Sequence, residues 1–478
     1  MNYVRIDEAI NKTEADFGKI IKWRFDQIWQ NKKIENDHQM SHVMTKLQQM
    51  EKSSSQSEIE LSSDSREPTR SELLALIGEY QTRGHETNIN VLSLDGGGTR
   101  GHMSIKVLCE LITEIYIDHD NQRHNKGFVE AQSDFTDEFD YLVGTSTGGL
   151  IAFCLAIKHD LFDIKQIYED CERYFKRQWF TRFGPIERDK YNPTPIYNKI
   201  DEIIGQLKLS NGKQLTAENA TLLDIHNLLN PHCMVNNDTS ELDRRYHSNC
   251  LEFVDDSSSN SGIKREKVLL ITAYNTTKDS MTIFNTSYAE HWGYRIADVL
   301  KATMAAPTYF QPCTMYKRKK VNDHFERDGE DETFIDGGVF ANDPELAVLW
   351  AIRMQWKKPI NYRLLSIGTG CYNAKLSVDN WKGGYKYWLY DTNGLLVNVL
   401  MDGTRSLTET VMNKLATFGN IKRMKFNYKL KKSMELDDPN FAKIFNAEWE
   451  QLKTEDDYQV LVYFYKKYIK KEQNSFEQ

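Results

Sequence analysis

The sequence predicts an α/β fold, a mainly parallel central sheet flanked by helices. Three observations carry this. Short, β-branched apolar strands alternate with helical runs; each of the first two strands runs into a glycine cluster that opens a helix; and strand-then-glycine patterns return late in the chain. The first strand is 88–94 (NINVLSL), followed by glycines and a helical run over 103–117. A second strand, 139–143, meets a glycine turn at 144–149 and a helix over 150–158. Later strands are read at 267–274 (KVLLITAY), 333–335 and 362–367 (YRLLSI). No internal repeat interrupts this order.

Around this core the composition changes. Residues 1–52 read as a helical arm, with Ile20, Ile21, Trp23, Phe25, Ile28 and Trp29 set among charges. A Ser-rich linker spans 53–70. The main domain is assigned to 71–430, with a helical cap over 160–262 that carries a polar insertion at 230–262. Residues 431–478 read as a helical C-terminal segment, whose aromatic run 458–469 suits a core-packing helix.

The chain has 478 residues, 40% of them hydrophobic, enough for a large core and too many for a disordered chain. With 61 Lys and Arg against 69 Asp and Glu the net charge is −8, which argues against a nucleic-acid partner. No run approaches the roughly 20 apolar residues that span a bilayer, and the first 20 residues contain no signal-peptide core. The seven cysteines are odd in number and several, such as Cys109 and Cys154, lie in apolar segments, pointing to a reduced interior. The expected location is cytoplasmic: a soluble protein with transient peripheral membrane association.

Three clusters carry chemistry. Gly144-Thr145-Ser146-Thr147-Gly148 is a G-x-S-x-G between a strand and a helix, the setting of a nucleophile elbow, where glycines spare a strained turn and the helix N-terminus favours negative charge. Asp95-Gly96-Gly97-Gly98-Thr99-Arg100-Gly101 also joins a strand to a helix. It formally fits the dinucleotide pattern G-x-G-x-x-G, but the acidic residues about 20 positions on, Glu114, Asp118 and Asp120, do not end a second strand. Its consecutive glycines suit the presentation of N–H groups to an oxyanion; Arg100 either pairs with a phosphate or braces the loop. Asp336-Gly337-Gly338 ends a strand in an acid. A nucleophile, a base and oxyanion donors on separate strands are the parts of an acyl-transfer site.

Taken together and in order, DGGGTRG, GTSTGG and DGG resemble the patatin-like phospholipases. KATMAAPTYF (301–310), ANDPELA (341–347) and LLSIGTG (364–370) are similar to blocks of that family, and the likeness covers about 88–430. The resemblance implies a lipid acyl hydrolase of phospholipase A or lysophospholipase type working through a Ser–Asp dyad without histidine. Ser146 is then the nucleophile, Asp336 the base, and Gly96 to Gly101 the oxyanion loop. No metal and no cofactor are expected. The acidic run 326–332 (ERDGEDE) lacks the spacing of a calcium loop and reads as a solvated loop.

The substrate implied is a membrane phospholipid or related acyl lipid. Basic stretches at 316–320, 422–432 and 466–471, interleaved with aromatics, are candidates for docking on an anionic bilayer. The arm or the 230–262 insertion is a candidate site for a regulatory protein or ligand. Two rival readings are a non-catalytic lipid-binding or storage protein on the same fold, and a nucleotide-binding protein using Gly96–Gly101.

Overall fold

The computed structural model describes residues 87–117, 127–177, 191–234, 252–253, 264–321, 324–356, 360–371, 395–417, 419–430 and 437–470. The chain divides into two units, 1–84 and 85–478, and the described residues all belong to the second. The expected helical arm, the Ser-rich linker and most of the 230–262 insertion lie outside the described residues.

One eight-stranded sheet organises the unit. Its strands are β1 (Thr87–Leu94), β2 (Tyr141–Thr145), β3 (Val268–Asn275), β4 (Ser280–Asn285), β5 (Cys313–Val321), β6 (His324–Asp336), β7 (Ile360–Ile367) and β8 (Ile421–Phe426). The order is β8-β7-β1-β2-β3-β6-β5, with β4 also paired to β3. Strands β8, β7, β1, β2 and β3 are mutually parallel; β4, β6 and β5 join antiparallel. The central strands are apolar on both sides because helices cover both faces. Neighbouring residues therefore enter different cores. Leu92, Leu142 and Ile271 face one, Val91, Val143 and Leu270 the other.

The first core is roofed by α1 (Gly101–Tyr116), α2 (Phe128–Asp137), α3 (Thr147–Ala156) and α7 (Ile296–Thr303), and by C-terminal helices α10 (Phe441–Leu452) and α11 (Asp456–Phe464). All ten residues of α3 are buried, as its run of apolar and small side chains requires. Tyr458, Leu461, Tyr465 and Ile469 pack into this core, and Asn90 Nδ2 donates to the Ile469 carbonyl at 3.0 Å. The second core is closed by α8 (Glu345–Gln355) and α9 (Leu395–Ala416) through Val348, Ile352 and Met412. The cap contributes α4 (Leu161–Glu169), α5 (Thr194–Gly205) and α6 (Leu222–Leu229). Thr221 and Asp224 form a reciprocal capping box at the start of α6.

Two expectations are corrected. The acidic run 326–332 is strand, part of the 13-residue β6, and not a loop. It pairs with the basic run of β5, Glu326 opposite Lys319 and Asp328 opposite Lys317, so cross-strand charge replaces the apolar alternation that marks a buried strand. Only the end of β6 pairs with β3, Phe334 opposite Asn275 and Asp336 opposite Ala273. The β5–β6 hairpin thus stands beyond the carboxyl ends of β2 and β3. In the basic run 422–432, Arg423 and Lys425 are buried ion-pair partners, so these two cations are not offered to a bilayer.

Candidate active site

Ser146 sits where β2 turns into α3. Its φ of 54° and ψ of −124° lie outside the regions non-glycine residues ordinarily adopt. The turn is possible because its flanks are glycine. A Cβ on Gly148 would stand 2.2 Å from the Leu94 carbonyl oxygen, and one on Gly144 2.1 Å from that of Gly148. The turn is held from three sides. The Ser146 amide donates to Thr303 Oγ1 at 2.8 Å, Thr145 Oγ1 donates to the Ala341 carbonyl at 2.6 Å, and Thr147 Oγ1 donates to the Gly98 carbonyl at 2.9 Å.

Asp336 ends β6 and is fully buried. Its Oδ1 accepts the Gly338 amide at 2.7 Å, while Oδ2 has no hydrogen-bond partner. Burial pushes the carboxyl up to about 7; the nearby Ser146 hydroxyl and the Gly338 amide pull the other way without cancelling it. Gly337 lets the chain pass Thr272, whose Oγ1 would lie 2.2 Å from a Cβ there.

The glycine loop leaves β1 directly over the serine, with the Cβ position of Gly96 3.3 Å from Ser146 Cβ. The amides of Gly96, Gly97 and Gly98 are the expected oxyanion donors, and several amides of the loop are already engaged within the fold. Gly96 donates to the Asn342 carbonyl at 2.9 Å and Arg100 to that of Gly97 at 3.1 Å; Gly101 donates to the carbonyls of Gly98 and Thr99. These bonds fix the loop and start α1. Gly97, Gly98 and Thr99 remain as the part of the loop that lines the pocket. Thr369 Oγ1 donates to the Gly96 carbonyl at 2.9 Å, and Gly98 has a φ of 58° that suits only glycine without strain. Arg100 Nε reaches the Gly97 carbonyl at 3.4 Å, an inward brace on the loop.

These parts meet in a narrow pocket that opens to solvent. Ser146, Asp336, Gly97, Gly98 and Thr99 form its polar end. Phe175, Met304, Tyr309, Phe310 and Met401 supply an apolar wall, and Tyr191 and Asp437 close one side. Tyr191 donates from its hydroxyl to Asp437 and stacks on Tyr309 with ring centroids 6.3 Å apart. Thr99 Oγ1 donates to the Asp438 carbonyl at 3.1 Å, lashing this segment to the glycine loop. No histidine lines the pocket among the described residues. His102 instead pairs with Asn446 at 2.9 Å, and His291 is half-buried beside Phe284. Among the described residues no group of three metal-ligating side chains occurs, and no helix is long and apolar enough to cross a membrane.

Sequence reasoning did not single out Thr303, Tyr191, Met401 or Asp437. Thr303 lies inside KATMAAPTYF, the block between strands that resembled the family, so its position carried a signal. The other three come from the cap, from α9 and from the C-terminal segment, and only the fold brings them together.

Comparison with known proteins identifies the family. A family model described as patatin-like phospholipase matches residues 92–349, more than half the chain. The chain is 24% identical over 356 residues to patatin-like protein 4 of Arabidopsis thaliana, covering 67% of this chain and 71% of that protein. It is 24% identical over 391 residues to a cGAMP-activated phospholipase of Vibrio cholerae, covering 78% and 92%. A calcium-independent phospholipase A2-gamma of Mus musculus is 22% identical over 303 residues, covering 63% and 31%. With its motifs in order on a mainly parallel sheet, this chain belongs to the patatin-like phospholipase family.

Proposed function

We propose that the protein hydrolyses carboxylic ester bonds of membrane lipids through a Ser146–Asp336 dyad. The observation that carries the reading is the meeting, in one pocket, of a serine in a strained strand–helix turn, a buried carboxyl with one uncommitted oxygen, and a glycine loop. Asp336 takes the hydroxyl proton as Ser146 Oγ attacks the acyl carbon. Negative charge gathers on the former carbonyl oxygen, where the Gly97 and Gly98 amides and the N-terminus of α3 stabilise it. The tetrahedral species collapses, the lysolipid alkoxide leaves with the proton held by Asp336, and the acyl group stays on Ser146. Water then gives a proton to Asp336 and attacks the acyl-enzyme; Ser146 Oγ leaves, recovers that proton, and a fatty acid departs. A carboxylate of ordinary pKa is a poor base for a hydroxyl, and the raised pKa of Asp336 narrows that gap. Met304, Tyr309, Phe310 and Met401 form the surface on which an acyl chain lies.

The test is lipid profiling and in vitro hydrolysis with Ser146→Ala and Asp336→Asn. Loss of fatty-acid release in both, with melting temperatures no lower than wild type, supports the dyad; wild-type release in Ser146→Ala refutes it. Similarity to the cGAMP-activated relative makes a cyclic dinucleotide the first activator to try. Adding cGAMP to the same assay tests it, and an unchanged rate rejects that effector.

A further inference from the structure

Arg423 and Lys425 stand two residues apart on β8, so their side chains leave the same face of the sheet. Both lie beyond the 92–349 segment matched by the family model. Arg423 Nε and Nη2 hold Glu345 at 2.5 and 3.1 Å. Lys425 Nζ reaches Asp95 Oδ1 at 2.6 Å and Oδ2 at 2.8 Å, Asp343 Oδ2 at 2.8 Å and Ser366 Oγ at 3.0 Å. The side chains of Lys425, Asp95 and Asp343 are 8%, 1% and 0% exposed, so this ammonium has exchanged water for these oxygens.

The path of the lysine is set by register. Lys425 is level with Ser366 on β7, and Ser366 is level with Ser93 on β1. Serines there keep the sheet surface low, and the lysine stem crosses β7 to reach the acid at the end of β1. The two acids it joins anchor different loops. Asp95 immediately precedes Gly96–Gly98. Asp343 follows Asn342, whose carbonyl receives the Gly96 amide, in the segment that runs on from Asp336.

We infer that Lys425 is a positioning residue for acyl transfer: its ammonium clamps the oxyanion loop to the segment following Asp336, and so fixes the donors relative to the base. The inference rests on the Ser146–Asp336 reading. Burial and the neighbouring Asp343 raise the Asp95 carboxyl above its ordinary value, and the Lys425 ammonium pulls it back down. With the lysine removed, Asp95 and Asp343 face each other across the join with no cation between them, and the Gly96–Asn342 bond loses its backing. Displacements of about 1 Å at a reacting centre cost roughly 100-fold in rate.

Wild type, Lys425→Met and the double variant Lys425→Met/Asp95→Asn are reacted with a fluorophosphonate, which counts competent serines, and assayed with p-nitrophenyl butyrate. Adduct on Ser146 of wild type establishes the nucleophile separately; its absence sinks the dyad reading rather than the clamp. The expected result is a kcat per labelled site about tenfold or more below wild type, with KM within about twofold, and slower labelling to the same end point. The double variant lacks the uncompensated Asp95 charge, so it folds even where the single variant does not. Its kcat per labelled site stays low because the cross-strand tie is still missing. Wild-type kcat per labelled site in the double variant overturns the inference and leaves Lys425 as a neutralising charge alone.

Discussion

The amide of Ser146 donates to the hydroxyl of Thr303 at 2.8 Å. This bond reaches from a turn between β2 and α3 to the end of α7, so the strained conformation of the serine is imposed partly from outside its own supersecondary unit. Thr303 is fully buried, and its hydroxyl is the acceptor that lets the Ser146 N–H leave water. Thr303→Val keeps the shape and removes that acceptor. Stability is expected to fall by about 1–3 kcal/mol in urea titrations, and kcat is expected to fall with it. A variant with wild-type kcat shows that the turn holds itself.

Asp336 sets a pH dependence of both activity and stability. In the proposed dyad Asp336 accepts a proton and so works ionised; kcat/KM is expected to rise as pH passes about 7 and to level off above it. For stability the sign is reversed. The folded chain keeps this proton to about 7 while the unfolded chain loses it near 3.8, so ionisation costs folding free energy as pH rises through that window. Asp336→Asn removes the cost. It is expected to be inactive and, above pH 7, more stable than wild type by up to about 4 kcal/mol; thermal melts at pH 4 and pH 8 check the difference.

Glycine positions separate into those in contact and those in the open. Gly148→Ala drives a methyl against the Leu94 and Asp95 carbonyl oxygens at 2.2 and 2.7 Å, both backbone atoms that cannot turn aside. Loss of the folded state or of more than about 4 kcal/mol is expected. Gly403, inside α9, has nothing within 4 Å of its Cβ position. Gly403→Ala is expected to raise stability by about 0.5–1 kcal/mol. Circular dichroism melts of the two variants give opposite shifts if the packing is as described.

Phe310 tests where the acyl chain lies. Phe310→Ala removes part of the apolar wall without touching Ser146, Asp336 or the glycine loop. KM for a long-chain ester is expected to rise about tenfold, equivalent to about 1.4 kcal/mol, while the acetyl ester is turned over with near-wild-type KM. Equal effects on both esters place the chain elsewhere.

How much of the fold and site was legible beforehand depends on where each signal lies. The central strands and the glycine turns at Ser146, Asp95 and Asp336 are local patterns, and local sequence displays them. The arm of β6 before Thr333 is not legible as strand because its partner is a basic strand and its surroundings are water, so no apolar face alternates. Lys425 looks like one member of a solvated charge run; only the sheet register reveals Ser366 and Ser93 beneath its stem. The engagement of the Gly96 amide was equally hidden, since its acceptor, Asn342, lies about 250 residues away in the chain.

The β5–β6 hairpin offers a place to attach a reporter. Its exposed turn-ward arm, including Asp331, is continuous with the strand that ends at Asp336. At about 3.3 Å per residue, a dye on Asp331 would stand about 17 Å from the base, on a ruler made of backbone. Gly329, whose φ of 102° favours glycine, is left unchanged beside the neighbouring irregularity. Substrate arrival becomes observable by fluorescence without altering any residue that lines the pocket.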